Sequence, residues 1–136
     1  MDFISLNKFL ISGLKQPWTA IYTKIIAIAL IYGALVHIGN IFGLTGTAWL
    51  STPVLWRSMD ILLLTFDFIT AIALWQGRGW SVWLLFSGIL LLQVIPYTLL
   101  RSYFIIKPED SQVLNSLLGT EAIFLSIFIL LLWRRK

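Results

Sequence analysis

Residues 54–80 read VLWRSMDILLLTFDFITAIALWQGRGW, and this stretch decides the fold. From Val54 to Trp75 runs an apolar segment close to the roughly 20 residues that a helix needs to cross a bilayer core. It stops at Gln76-Gly77-Arg78-Gly79, and a second apolar run begins at once with Trp80. So short a link makes the two runs an antiparallel helical hairpin. Working outward, the same pattern recurs on both sides, so spans are expected over about 18–38, 54–75, 80–106 and 113–133. The first two are separated by Gly39-Asn40-Ile41-Phe42-Gly43-Leu44-Thr45-Gly46-Thr47, rich in turn formers, and then by Pro53, a residue suited to starting a helix. The polar segment Lys107-Pro108-Glu109-Asp110-Ser111 separates the last two.

Composition agrees with that reading. The chain has 136 residues, of which 59% are hydrophobic and 12% charged, and its mean hydropathy is +0.90. A soluble domain carries about twice that share of charge, and a chain this short has too little polar surface to cover itself in water. The expected class is an all-α integral membrane protein: a four-transmembrane-helix bundle over residues 18–136, preceded by an interfacial amphipathic helix over 1–17. The absence of Cys excludes thiol, disulfide and thiolate-metal chemistry within the chain, and a single His excludes a bis-histidine haem in one copy. No close ligand spacing points to a metal, no Gly-rich loop to a phosphate, and no basic stripe to nucleic acid. The sequence names no cofactor.

The amphipathic helix follows from Phe3, Leu6, Phe9, Leu10, Ile11 and Leu14, which make one apolar arc, while Ser5, Lys8, Ser12 and Lys15 face away. A signal peptide is the competing reading, but Asn7, Lys8 and Ser12 interrupt its apolar region and no small-residue cleavage site follows. Pro17 marks the bend into the first span.

Orientation follows from the basic residues. Lys8, Lys15, Lys24, Arg78, Arg134, Arg135 and Lys136 fall on one side, and only Arg57, Arg101 and Lys107 on the other. The positive-inside rule therefore places both termini in the cytoplasm. Trp18, Tyr22, Trp75, Trp80, Trp83 and Trp133 form a matching aromatic belt, with Trp49, Trp56 and Tyr103 near the opposite interface.

Charges at bilayer depth cost about 2.5 to 3.5 kcal/mol each on the insertion scale, so they turn inward and find partners. Arg57, Asp60 and Asp67 share one stripe of the second span; Gln93, Tyr97 and Arg101 share one face of the third. The first span contributes Gly33, His37 and Asn40, and the fourth Asn115 and Glu121, whose directions differ by about 120°. At about 1.5 Å of rise per residue from the outer ends, Asp60, His37, Arg101 and Asn115 lie about 3 to 8 Å into the core and Tyr97, Glu121, Asp67 and Gln93 about 12 to 20 Å, which leaves the cytoplasmic end almost free of polar residues. The inferred object is a polar cavity or ion-pair network facing the non-cytoplasmic side. Arg57, Asp60 and Arg101 are expected to be structural ion pairs, and Asp67, Glu121, Gln93, Tyr97 and His37 the candidate ligand-binding residues. Two arginines against three carboxylates leave one negative charge, to be balanced by a held proton, by protonated His37 or by a bound cation. Asp67, near the midplane, is the expected holder of that proton. Pro96, in Gln93-x-x-Pro96-Tyr97, removes a backbone donor and opens the helix opposite the acids.

With its four short spans and the turn Ile72-Ala73-Leu74-Trp75-Gln76-Gly77-Arg78-Gly79-Trp80 between the middle two, the plan resembles that of DoxX-like membrane proteins. The Gly-rich first span of that family is missing, and no functional residue is carried over. The resemblance implies a small bacterial inner-membrane protein, often an accessory of a redox complex. On function the leading expectation is a non-catalytic subunit or accessory, partnered by the lipid bilayer and by other membrane subunits or further copies of itself. The alternative is a small-molecule, cation or proton-coupled binding or transport protein using Asp67, Glu121, Gln93 and Tyr97. A lipid or quinone enzyme comes third, since no nucleophile or cofactor motif accompanies the acids.

Overall fold

The computed structural model describes residues 2–134. Among them there is no strand, and four helices are long and apolar enough to cross a membrane. A short helix α1, Phe3–Leu14, leads into α2, Pro17–Ile41, with Pro17 at the first helical position where its missing N–H costs nothing. A loop containing a single 3-10 turn, Trp49–Ser51, then reaches α3, Val54–Trp75. The expected hairpin follows, with α4 at Trp80–Thr98. A short helix α5, Arg101–Phe104, precedes α6, Pro108–Trp133.

Two boundaries differ from those that hydropathy gives. The third span ends at Thr98 instead of running to 106; Pro96, which cannot donate to the carbonyl of residue 92 and whose ring crowds that turn, disturbs the helix just before it. The chain widens into a π-helical turn over Leu90–Val94, where the Ile95 N–H reaches the Leu90 carbonyl, and it leaves the helical basin at Leu100 (φ −106°, ψ 19°). The last helix starts at Pro108, ahead of residue 113. Asp110 accepts the backbone N–H groups of Ile106 and Lys107, both at 2.9 Å, so a polar first turn is capped and kept helical.

The core has two parts. At the end carrying the termini, Leu10 and Leu14 of α1 pack with Ile26, Leu74, Val82, Leu85, Phe128 and Leu132 from all four long helices. The α1 helix is thus a cap across the bundle end. Asp2 starts it by accepting the Ser5 N–H at 2.7 Å, a hydrogen bond that holds the Asp2 carboxyl below its usual range. Trp83 fastens it by donating from Nε1 to Asn7 Oδ1 at 2.8 Å. Of the apolar arc, Phe3 and Ile11 stay exposed, as does Ile4 outside it. At this same end α2 and α6 are tied together: Tyr22 donates to the Phe124 carbonyl at 2.6 Å and Thr19 to the Leu131 carbonyl at 3.3 Å. At the far end Met59, Leu63, Tyr97, Phe104 and Leu114 form a smaller core.

Candidate functional site

Toward the far end a cleft of about 1220 Å³ opens between α2 and α6, with α3 and α4 forming its inner wall. Its lining includes His37 and Asn40 from α2, Asp60 and Asp67 from α3, Gln93 and Tyr97 from α4, and Glu121 from α6. The three-turn stripe on α3 and the Gln93/Tyr97 face of α4 make this convergence possible, because residues at these spacings project from one side of a helix.

One connected set of contacts runs down the α2–α3 wall. Thr45 donates to Asn40 Oδ1 at 2.5 Å, and Asn40 Nδ2 donates to Asp60 Oδ1 at 2.9 Å. His37 Nδ1 lies 2.8 Å from the same Asp60 oxygen, while its Nε2 is 3.8 Å from Asp67 Oδ2. One imidazole therefore stands between two carboxylates. Gly33 makes room for the lower one, since a Cβ at that position would come within 2.8 Å of Asp67 Oδ2.

Across the cleft the Gln93 amide donates to the Glu121 carboxylate, placing α4 and α6 in contact through a single polar pair. Tyr97 is 3% exposed and is oriented by Trp56 and Phe104, whose ring centroids lie 6.4 and 5.2 Å from its own. Its hydroxyl makes no hydrogen bond among the described residues, yet it is within Coulombic range of Asp60, Asp67 and Glu121. Asp67, 5% exposed, likewise accepts no hydrogen bond among the described residues. Two buried polar groups thus face the cleft with unused capacity. In proteins such groups normally have a partner.

The expected arginine pairs are not formed. Asp60 is taken by His37 and Asn40, whereas Arg57 lies over the Trp49 ring at 5.9 Å with its Nε unpartnered. Helical side chains lean toward the N-terminus of their helix, and Arg57 is in the first turn of α3, so its long chain is carried back to the 42–53 loop. Arg101 sits beyond the break at Leu99–Leu100 and binds the Ser111 carbonyl at 2.7 Å, the Ser111 hydroxyl at 2.9 Å and Asn115 Oδ1 at 2.6 Å. Asn115 therefore serves Arg101 while Glu121 serves the cleft, as their different wheel directions require. Thr45, Ser111 and Gly33's close approach to Asp67 had no individual signal in the sequence beyond polar loops and a shared face.

Removing both arginines changes the charge balance. On the long helices the cleft is lined by Asp60, Asp67, Glu121 and the imidazole of His37, and near the start of α6 by Lys107 with Glu109 and Asp110. With more carboxylates than basic groups, such a set favours protons or a cation over an anion. No family model matches the chain, nor does any curated protein or solved structure.

Proposed function

We propose that the protein is a small integral membrane protein of a bacterial inner membrane, with both termini cytoplasmic, that binds a small solute in the acidic cleft from the non-cytoplasmic side. The observation that carries this is the convergence of His37, Asp60, Asp67, Gln93, Tyr97 and Glu121, from all four long helices, on one open volume of about 1220 Å³. That is at or above the usual size of a small-molecule site. A network whose only task was to orient helices would close on itself. Here Tyr97 and Asp67 keep free hydrogen-bonding capacity toward the opening. The bundle is too thin to enclose a transport path alone, so any transport calls for an oligomer.

A second reading has one observation in its favour. Exposed apolar side chains on the flanks of the cleft, Tyr32 and Val36 of α2 and Val113 and Leu117 of α6, suit contact with a helix of a neighbouring subunit, which would make the chain an accessory of a larger membrane complex. Native mass spectrometry of gently extracted protein separates the two. A monomer or homo-oligomer carrying a small-molecule mass supports the binding reading, and a stoichiometric hetero-complex with an empty cleft overturns it.

A further inference from the structure

The shape of the cleft and the distribution of its charge together narrow the class of solute. We infer that the cleft takes a lipophilic organic cation, its charged centre among Asp67, Glu121 and Tyr97 and its apolar body between α2 and α6; this rests on the binding reading above. Three features carry it.

The first is sign. Asp60, Asp67 and Glu121 line the cleft, while Lys107, beside Glu109 and Asp110, is the single lysine or arginine among its described lining residues. Asp60 is already occupied by His37 and Asn40. Asp67 on α3 and Glu121 on α6 line the same cleft, so a positive centre there is offered two carboxylates. Tyr97 adds a hydroxyl oxygen whose lone pairs also favour a cation.

The second is the unused capacity. Tyr97 and Asp67 are each more than nine-tenths buried and without a hydrogen bond among the described residues. A guest of matching charge satisfies groups that the fold leaves open.

The third is the side opening. The contacts that join α2 to α6 lie at the end with the termini, at Thr19 and Tyr22. Farther along, Tyr32 and Val36 on α2 and Val113 and Leu117 on α6 line the cleft while remaining 37% to 70% exposed. The flanks of the opening are apolar and its depth is acidic. A hydrated inorganic ion has no use for such flanks, whereas an ammonium or phosphonium with hydrocarbon or aryl groups matches both parts.

The test uses the full chain in detergent and three probes: tetraphenylphosphonium, its neutral analogue triphenylphosphine oxide, and tetramethylammonium. Equilibrium dialysis should give saturable tetraphenylphosphonium binding at least tenfold tighter than either of the others. Asp67→Asn and Glu121→Gln should each weaken it at least tenfold. Monodisperse elution of the variants checks their folding, and the three-probe comparison on the wild type decides independently of them. If the neutral probe binds as tightly as the cation, the charge assignment is overturned while the cleft remains a binding site. If tetramethylammonium binds equally well, the apolar part of the assignment is overturned. Absence of saturable binding by any probe overturns both this inference and the binding reading beneath it.

Discussion

His37 Nδ1 lies 2.8 Å from Asp60 Oδ1, and this contact joins α2 to α3 in the middle of the polar wall. The side chains are 18% and 10% exposed, so water does little to screen them. Hydrogen bonds to a charged partner contribute about 1.5–3 kcal/mol, and removing one partner leaves the other desolvated. His37→Ala should therefore lower stability by about that amount, and His37→Gln, which retains an amide donor for Asp60, should lose less. Thermal melting in detergent measures both. An unchanged melting temperature for His37→Ala would show that Asn40 alone suffices for Asp60.

Two glycines predict opposite outcomes for the same substitution. At Gly33 an added Cβ meets only the end of the Asp67 side chain, which can swing aside. At Gly88 it would run into the Phe66 ring, which is 6% exposed and fixed in the core. Gly33→Ala should keep stability within about 1 kcal/mol, helped by the better helix propensity of Ala, while weakening binding in the cleft. Gly88→Ala should cost about 1–3 kcal/mol through overpacking. Melting curves and probe binding on both variants check the contrast; equal losses of stability would contradict it.

Much of this was legible before any coordinates. Hydropathy places the four long helices, and the hairpin at Gln76–Gly79 follows from loop length alone. Helical spacing groups Asp60 with Asp67 and Gln93 with Tyr97, which is why the cleft residues could be named. Partner choice could not be read, because charge matching ignores where a side chain leans: Arg57 and Asp60 are three residues apart, yet one reaches the loop and the other faces α2. The end of α4 was hidden for a related reason. Residues 99–106 are apolar enough to continue a span, but the π-helical turn and the break at Leu100 answer to Pro96 and to the tertiary pull on Arg101.

Orientation can be checked on a chain with no native Cys. Gly46 and Gly77 have φ of +102° and +69°, and Asp110 caps α6, so exposed neighbours are the better sites for single cysteines. Thr47→Cys and Glu109→Cys should react with an impermeant thiol reagent added outside intact cells, and Gln76→Cys should react only after lysis, as the positive-inside count requires. Labelling of Gln76→Cys alone in intact cells would invert the proposed topology.

Asp67 separates a working site from a structural one. It has no arginine partner among the described residues; His37 Nε2 lies 3.8 Å away, and its carboxyl occupies the space that the missing Cβ of Gly33 leaves. Asp67→Asn preserves the shape and one acceptor of the carboxyl and strands no buried arginine. Stability should therefore stay within about 1 kcal/mol of the wild type, in the range of substitutions that break no essential contact. Asp60→Asn differs, because it removes the charge that holds both His37 and Asn40, and it should cost about 1.5–3 kcal/mol. Melting of the two variants side by side gives the comparison. A loss of about 3–5 kcal/mol for Asp67→Asn is the signature of a broken buried ion pair; it would make the Asp60–His37–Asp67 bridge a folding device and favour the accessory-subunit reading over the binding cleft.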